Sequence, residues 1–419
     1  MLSGASVSFV LRIVGAFIQF ALSVSIAQKY GAGGVGIYSL ALIVAIISST
    51  VGRWGMDQAA LKYIAIAEND TWRVRLIFKR AFLFVFFVSL LVNILIYIAA
   101  PFLVTWIFHD SSLLQPLRYM SLSILPFSIL GLYAECFRAR KKIVWHSLIQ
   151  GVFVPLLTLL LLETLFSHDA VVTGAVLSYV LACFVVMAIA ALIWRKLITI
   201  PERGAERLCD MQGKDLLTTA NSMAWIAIVS VVMGFSETLI LGVFSSTESV
   251  GLYSVALRLA MIMSMVIFAF NSILAPKFAA LHAQGKLGEL EILARKSIVI
   301  MLLAEVPFII GYFFFADYLL SFFGETFVEA ASVLHILIVG QLINVGAGPI
   351  AVILTMSGFE RNVKLIVISS AVFSFMLGMV LIPTFGSIGA AWTATLGMLV
   401  LTLMASLSVR RNLNIRVLF

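Results

Sequence analysis

Three arginines lie inside stretches of the chain that are otherwise apolar, and their chemistry suits the binding of an anion. Arg12 stands in the first apolar run, Arg53 near the end of the second, and Arg258 deep within a run of the second half. A charged side chain is costly in hydrocarbon, so it faces a water-filled cavity, pairs with an acid or reaches back to the lipid headgroups. The alternatives that remain open differ from one arginine to the next.

The neighbours of Arg12 favour a cavity. Gly15, Ala16, Gln19 and Ser23 follow at helical spacing and share its face. A stripe of small and polar residues that ends on an arginine is suited to line water. The alternative is an arginine that snorkels to the nearby headgroups.

Arg258 and Arg53 differ in depth. Arg258 lies about 13 Å into its span at the helical rise per residue, too deep for easy snorkelling. Its alternative is a buried ion pair with Glu237. Arg53 lies close to the interface and shares a face with Asp57, so pairing with this acid competes with a role in a binding site.

Other polar groups in the apolar runs add to the candidate site. Glu237 and Glu305 are the acids least explained by loops, and we predict them as candidates for coupling to protons or cations. Asn271 is a further candidate for contact with a ligand. The alternative for all three is a structural hydrogen bond between helices.

The composition requires a membrane around these residues. Hydrophobic residues make up 62% and charged residues 11% of the 419 positions, with a mean hydropathy of +1.11. A soluble domain carries about 25% charged residues. The apolar runs are continuous rather than alternating, which indicates helices and excludes a barrel. We predict an all-α polytopic membrane protein.

At about 20 apolar residues per span, the sequence predicts about twelve transmembrane helices, with both termini in the cytoplasm. Most of the 28 Lys and Arg residues then fall in cytoplasmic loops or span ends. These residues form no contiguous nucleic-acid patch, so the net charge of +8 reports topology and contact with membrane lipids. The predicted spans are 6–27, 35–55, 81–107, 117–137, 144–165, 171–194, 219–244, 249–275, 298–322, 331–356, 364–386 and 387–409.

The two halves of the chain share a repeat. The segment 36–42 recurs 215 positions later at 251–257, and both copies run from the outer end of an even-numbered span towards a basic loop. A duplication in parallel orientation explains both the sequence match and the shared topology. We therefore predict two six-helix lobes, at 1–194 and 219–419, joined by a polar cytoplasmic linker at 195–218.

Sequence motifs of enzymes are absent. The chain has no G-x-x-x-x-G-K-[ST] phosphate loop, no H-E-x-x-H and no G-x-S-x-G. Its three cysteines and five histidines show no ligand spacing. We expect neither cofactor nor metal, and a transporter rather than an enzyme.

The segment Tyr-Gly-Ala-Gly-Gly-Val-Gly-Ile-Tyr at 30–38 and its echo at 248–253 resemble the polysaccharide biosynthesis and O-antigen unit flippases. These belong to the multidrug/oligosaccharidyl-lipid/polysaccharide exporter superfamily. The resemblance implies two lobes around a central cavity that opens alternately to each side of a bacterial inner membrane. It implies a polyprenyl-diphosphate-linked oligosaccharide as substrate, an O-antigen or capsule repeat unit, with polymerase machinery as a further partner.

The same resemblance implies basic side chains on the first, second and eighth helices of the cavity, which Arg12, Arg53 and Arg258 match. Arginine binds phosphate oxygens bidentately, so the charge agrees with a diphosphate. Three alternatives remain: a cation-coupled multidrug exporter of the same superfamily, a membrane-embedded glycosyltransferase and a scaffold for polysaccharide assembly. An exporter of cations would be expected to carry an acid in the first span, where Arg12 is the only charge.

Overall fold

The computed structural model describes residues 2–67, 70–167, 171–197, 213–415 and 417. These residues are almost entirely helical and include no strand, which confirms the all-α class. The α-helices are α1 (Leu2–Arg53), α2 (Met56–Ile66), α3 (Thr71–Phe102), α4 (Leu114–Ser121), α5 (Ile124–Ala139), α6 (Ile143–Leu148), α7 (Val154–Thr164), α8 (Thr173–Leu197), α9 (Gly213–Gly234), α10 (Ser236–Phe244), α11 (Thr247–Met261), α12 (Ser264–Ala283), α13 (Leu287–Ser321), α14 (Ala331–Met356) and α15 (Glu360–Leu413).

Short helices of other types join some of these elements. They are the π-helical segments Leu103–Phe108 and Ile149–Phe153 and the 3-10 segments Ser111–Leu113 and Glu325–Ala330. Within the described residues, nine helical stretches are long and apolar enough to cross a membrane, or ten if the bent pair formed by α4 and α5 is one span. The count of twelve spans stays a prediction.

Two glycines interrupt the longest helices. Gly31 in α1 has φ 66° and Gly386 in α15 has φ 56°, a backbone region that glycine adopts without steric cost. A straight helix of 52 residues would be about 78 Å long, more than twice the hydrocarbon thickness of about 30 Å. Each of the two helices therefore contains a break within its length. At Gly386 the chain turns back, since Asn362 Nδ2 and Ser408 Oγ of the two arms of α15 lie 3.4 Å apart.

Two helices begin well before the predicted spans that they contain. Helix α3 starts at Thr71 and α13 at Leu287, about ten residues before the predicted spans that begin at 81 and 298. Hydropathy detects the part of a helix in hydrocarbon, whereas the charged turns that precede it are also helical and lie at the interface. Three other predicted spans are broken: 117–137 between Ser121 and Ile124, 219–244 at Phe235, and 249–275 between Met261 and Ser264.

The described chain forms two compact units. The first contains Met1–Tyr30 with Ile37–Phe235, and the second contains Gly31–Gly36 with Ser236–Phe419. Helix α9 thus packs in the first unit. The predicted lobe boundaries stay a prediction, and positions 198–212 of the predicted linker lie outside the described residues.

Aromatic rings and small side chains hold the first unit together. Phe78 of α3 lies 5.3 Å from Tyr133 of α5 and 4.9 Å from Trp194 of α8, between ring centroids. Elsewhere Ser128 Oγ donates to the carbonyl of Ser49 at 3.1 Å. Lipid gives no hydrophobic drive to pair helices, so ring packing and small polar contacts replace it.

The second unit has an aliphatic core formed by α12, α13, α14 and the last turns of α15. Phe278, Leu290, Met301 and Ile353 in this core are fully buried. These four side chains come from α12, α13 and α14, so the core packs these three helices against one another. Two of them carry polar groups described below, Asn271 in α12 and Glu305 in α13.

Candidate functional site

The polar stripe predicted on α1 divides into exposed and buried members. Arg12 and Gln19 lie on the exposed surface of the helix, whereas Gly15 and Ser23 are buried. A Cβ on Gly15 would lie 3.1 Å from the carbonyl carbon of Gly151, so this glycine allows two backbones to approach. Ser23 Oγ donates to the Gln19 carbonyl at 2.7 Å. Arg12 and Gln19 remain two turns apart on one face as candidate ligand groups.

Arg53 makes polar contacts with Thr50 of α1 and Asp57 of α2. Its Nε lies 3.3 Å from Asp57 Oδ2, and its guanidinium donates to Thr50 Oγ1 at 3.1 Å. A Cβ on Gly131 of α5 would lie 2.8 Å from Arg53 Cδ, so the arginine lies flat against that glycine. The structure therefore has the ion pair that the sequence offered as the alternative to a binding role.

The turn that follows Arg53 docks on α9. A Cβ on Gly55 would lie 2.6 Å from the amide nitrogen of Ala224, and Gly55 has φ 68°. Trp54 packs edge-on against Trp225 with ring centroids 6.0 Å apart. Further along α2, Tyr63 Oη lies 3.1 Å from Thr219 Oγ1. Helix α2 and α9 are thus joined along their length, a contact that the sequence did not indicate.

Arg258 lies half-buried beside an interruption of its span. The neighbouring carbonyl, that of Leu259, accepts a hydrogen bond from Tyr312 Oη at 2.8 Å. The next helix, α12, begins at Ser264, whose Oγ donates to Gln341 Oε1 at 3.1 Å. A broken helix in a membrane leaves backbone groups that need partners, and here Tyr312 supplies one. Sequence reasoning missed Tyr312, because it lies 53 residues from Leu259 in the chain and no sequence pattern relates the two residues.

The remaining candidates, Glu305, Glu237 and Asn271, differ in the hydrogen bonds that their side chains make. Glu305 of α13 is fully buried, and neither of its carboxylate oxygens has a hydrogen-bond partner among the described residues. Glu237 accepts a bond from Ser236 Oγ at 3.1 Å. Asn271 packs against Gly348, where a Cβ would lie 3.4 Å from Asn271 Nδ2. Its Oδ1 is also buried without a hydrogen-bond partner in the described part of the chain.

The two repeated segments contact each other within the second unit. Gly36 and Gly251, equivalent in the two copies, pack directly on each other's helices. A Cβ on Gly36 would lie 2.7 Å from the carbonyl carbon of Thr247, and one on Gly251 would lie 2.8 Å from that of Ala32. Ala32 and Thr247 are themselves 215 positions apart. The two contacts are therefore reciprocal, which gives the crossing local two-fold symmetry.

The described residues contain no group of three or more His, Cys, Asp or Glu side chains placed to hold a metal ion. Arg12, Gln19 and Arg53 belong to the first unit and Arg258, Asn271, Glu237 and Glu305 to the second. The candidate groups within each unit are cations and amides from spans, with two acids in the second unit.

Comparison with known families gives two matches. The profile of the polysaccharide biosynthesis protein family matches residues 1–282, which is two thirds of the chain. The MatE profile matches residues 223–384. The first match contains both copies of the repeated segment, 36–42 and 251–257.

Known proteins give a similar picture. A probable low-salt glycan biosynthesis flippase, Agl15 of Haloferax volcanii, is 27% identical over 186 residues, which are 42% of this chain and 39% of the relative. The lipid II flippase MurJ in an inward closed conformation has a TM-score of 0.78 at 13% identity, over 98% of this chain and 88% of that one.

An inward-facing multidrug transporter of the MATE family has a TM-score of 0.70 at 15% identity, over 97% of this chain and 98% of that one. At these identities the two structural likenesses are ones of fold. The profile match over two thirds of the chain shows that the chain belongs to the polysaccharide biosynthesis protein family.

Proposed function

We propose that the protein translocates a polyprenyl-diphosphate-linked oligosaccharide, an O-antigen or capsule repeat unit, across a bacterial inner membrane by alternating access. The observation that carries this proposal is that Arg12 and Arg258, one in each unit, lie within candidate membrane spans of a polysaccharide biosynthesis family member. A diphosphate is strongly disfavoured in a low dielectric, and guanidinium groups compensate its charge with paired hydrogen bonds. The name of the Haloferax relative, a probable glycan biosynthesis flippase, supports the same substrate class.

The remaining candidate groups have subsidiary roles in this proposal. Gln19, on the same exposed face as Arg12, donates hydrogen bonds to the phosphate or to the first sugar. Asn271 has a buried carbonyl oxygen without a partner in the described chain, which fits a sugar hydroxyl as donor. Arg53 contributes only in a state in which its pair with Asp57 has opened.

Two packed helix crossings supply the closures that alternating access needs. At the end predicted to be external, Gly36 and Gly251 bring two helices into backbone contact. At the end predicted to be cytoplasmic, Gly55 and Trp54 join the start of α2 to α9. Neither of these contacts includes a charged side chain, so we infer that each can separate and re-form during a transport cycle.

Glu305 is the candidate for energy coupling. A buried carboxylate without hydrogen bonds is costly to keep charged, so binding and release of a proton or cation at Glu305 would favour different conformations. We propose Glu305 as the coupling residue, with Glu237 as the second candidate. Glu237 already has a hydrogen bond from Ser236, which makes a purely structural role a sufficient explanation for it.

A cellular experiment tests the proposal. In a bacterial strain whose own flippase for a polyprenyl-linked repeat unit has been deleted, this chain should relieve the accumulation of that lipid-linked intermediate. Persistence of the intermediate at the level of the deleted strain, with the protein present in the membrane, would count against the proposal. Surface polysaccharide joined by the host's polymerase provides a second readout, since polymerase machinery is the proposed downstream partner.

The second candidate function is export of cationic drugs, which the MatE match favours. Under that function, cells that produce the protein would gain resistance to cationic dyes, and Arg258→Ala would leave the resistance intact. A glycosyltransferase or an assembly scaffold would instead leave the intermediate unmoved in vesicles that contain only this protein and the lipid.

A further inference from the structure

A groove lies between the first and last turns of α15, on the second unit. The helix turns back at Gly386, which brings residues near its start beside residues near its end. Asn362 Nδ2 lies 3.4 Å from Ser408 Oγ across the two arms. The groove is open and has a volume of about 420 Å³; it is lined by Asn362, Leu365, Ile366, Met404, Leu407, Ser408, Arg411 and Asn412.

The lining changes from apolar to polar along the helix axis. Leu365 and Leu407 form the apolar part and are each more than half exposed, at 56% and 55%. Arg411 and Asn412 form the other end, about 10 Å from Met404 at the helical rise per residue. The groove thus has the two-part character of a lipid, with a hydrocarbon wall and a polar mouth.

The polar mouth has one cation that is not used by the fold. Asn412 Nδ2 donates to the carbonyl of Ser408 at 2.7 Å and to its Oγ at 3.1 Å. The Asn412 amide therefore already has hydrogen-bond acceptors at the helix end. Arg411 is exposed and makes no hydrogen bond or ion pair within the described chain. Its guanidinium is therefore the donor that a ligand in the mouth would meet.

The surroundings of the mouth are basic. Arg361 and Lys364 stand in the first turns of α15 and Arg410 in the last turn, and all three are exposed. Glu360 is the acid of these turns. The charge balance therefore favours an anion, at the membrane face that the distribution of Lys and Arg predicts to be cytoplasmic.

We propose that this groove binds one anionic phospholipid of the adjacent leaflet, with its phosphate on Arg411 and an acyl chain along Leu365 and Leu407. A soluble phosphate would leave the apolar wall exposed and gain only the weak attraction of an exposed cation. A zwitterionic lipid fills the wall equally but adds a positive group beside Arg411, Arg410 and Lys364. The site is independent of the proposed transport substrate.

Binding to the purified full-length protein tests the proposal, with phosphatidylglycerol and phosphatidylcholine as probes and native mass spectrometry as the readout. We expect wild-type protein to retain phosphatidylglycerol in preference to phosphatidylcholine. Arg411→Ala should weaken phosphatidylglycerol binding by up to about fivefold, the scale of one exposed charge pair. Arg410→Ala is the matched control, since Arg410 is the adjacent exposed arginine and does not line the groove, and it should change binding less than about twofold.

A second pair of variants tests the apolar wall. Leu407→Ser should weaken phosphatidylglycerol binding, whereas Leu403→Ser, one turn away, exposed and outside the groove, should not. If Arg411→Ala disturbs folding, Arg411→Lys keeps the charge and should keep the preference for phosphatidylglycerol.

Three results would overturn the proposal: equal effects of Arg411→Ala and Arg410→Ala, no preference between the two lipids, or glycerol phosphate binding as tightly as phosphatidylglycerol. Binding of a polyprenyl diphosphate at Arg411 in the absence of phosphatidylglycerol binding would also contradict it, because the groove would then be a substrate site.

Discussion

The crossing of Gly36 and Gly251 should control how often the external side of the protein opens. A Cβ added to Gly36 would lie 2.7 Å from the Thr247 carbonyl carbon, whereas carbon atoms in contact are about 3.5–4.0 Å apart. The neighbour is backbone, and the Thr247 carbonyl oxygen lies nearer still, so the helices must separate by at least about 1 Å to admit the methyl group. Overpacking of this kind costs about 1–3 kcal/mol, and it falls only on the state in which the crossing is closed.

Gly36→Ala should therefore shift the equilibrium towards an externally open state by about 5- to 150-fold. Val250, which is fully buried beside the crossing, is the position for a reporter. In a Val250→Cys protein with the native cysteines replaced, a membrane-impermeant maleimide added outside should label faster when Gly36→Ala or Gly251→Ala is also present. Gly33→Ala is the matched control, because a Cβ on Gly33 meets nothing within 4 Å.

Equal labelling rates for Gly36→Ala and Gly33→Ala, in proteins of equal abundance, would refute the role of the crossing as a closure. Slower labelling with Gly36→Ala would also refute it, since the added methyl group can only oppose the packed state. Because the crossing has local two-fold symmetry, Gly251→Ala should resemble Gly36→Ala in size of effect.

Further variants test Arg258, Glu305 and the membrane topology. Arg258→Ala should abolish most transport with normal abundance in the membrane and Arg258→Lys should retain part of it; loss of abundance that a change at Glu237 rescues would instead identify a structural pair. Glu305→Gln, an uncharged isostere, should keep the protein folded and flatten the pH dependence of transport, and an unchanged pH profile would remove this acid from the coupling mechanism. Reporter fusions at Gln284 and Ser246 should read cytoplasmic and external respectively, and a reversal at either would break the predicted topology.

The helices could be predicted from the sequence because lipid leaves the backbone few alternatives. Every amide in hydrocarbon needs a partner, so a continuous apolar run must be a helix. The break at Gly386 was also predictable, since Pro383, Gly386 and Gly389 stand together where two spans meet. The starts of α3 and α13 could not be predicted from hydropathy, because their first turns are charged and nevertheless helical.

The contacts between helices depend on tertiary packing and could be predicted only in part. The repeat marked Gly36 and Gly251 as equivalent, yet no pattern in the sequence shows that they touch. Arg53 had two interpretations of similar weight, and the space left by Gly131 for its side chain is a property of a distant helix. The hydrogen bond from Tyr312 to the Leu259 carbonyl likewise joins residues that no local spacing relates.

Movement of a lipid-linked oligosaccharide by the purified protein is the most direct test of the proposed function. Unilamellar vesicles containing the full chain and a fluorescent polyprenyl-diphosphate oligosaccharide would be treated with a membrane-impermeant quencher. Wild-type protein should move the probe between the leaflets, so we predict that the quencher removes the fluorescence of the probe from both leaflets. With Arg258→Ala, only the probe of the outer leaflet should be quenched. Protection of the inner-leaflet probe in vesicles with folded wild-type protein, under an imposed proton or cation gradient of either direction, would contradict the assignment as a flippase.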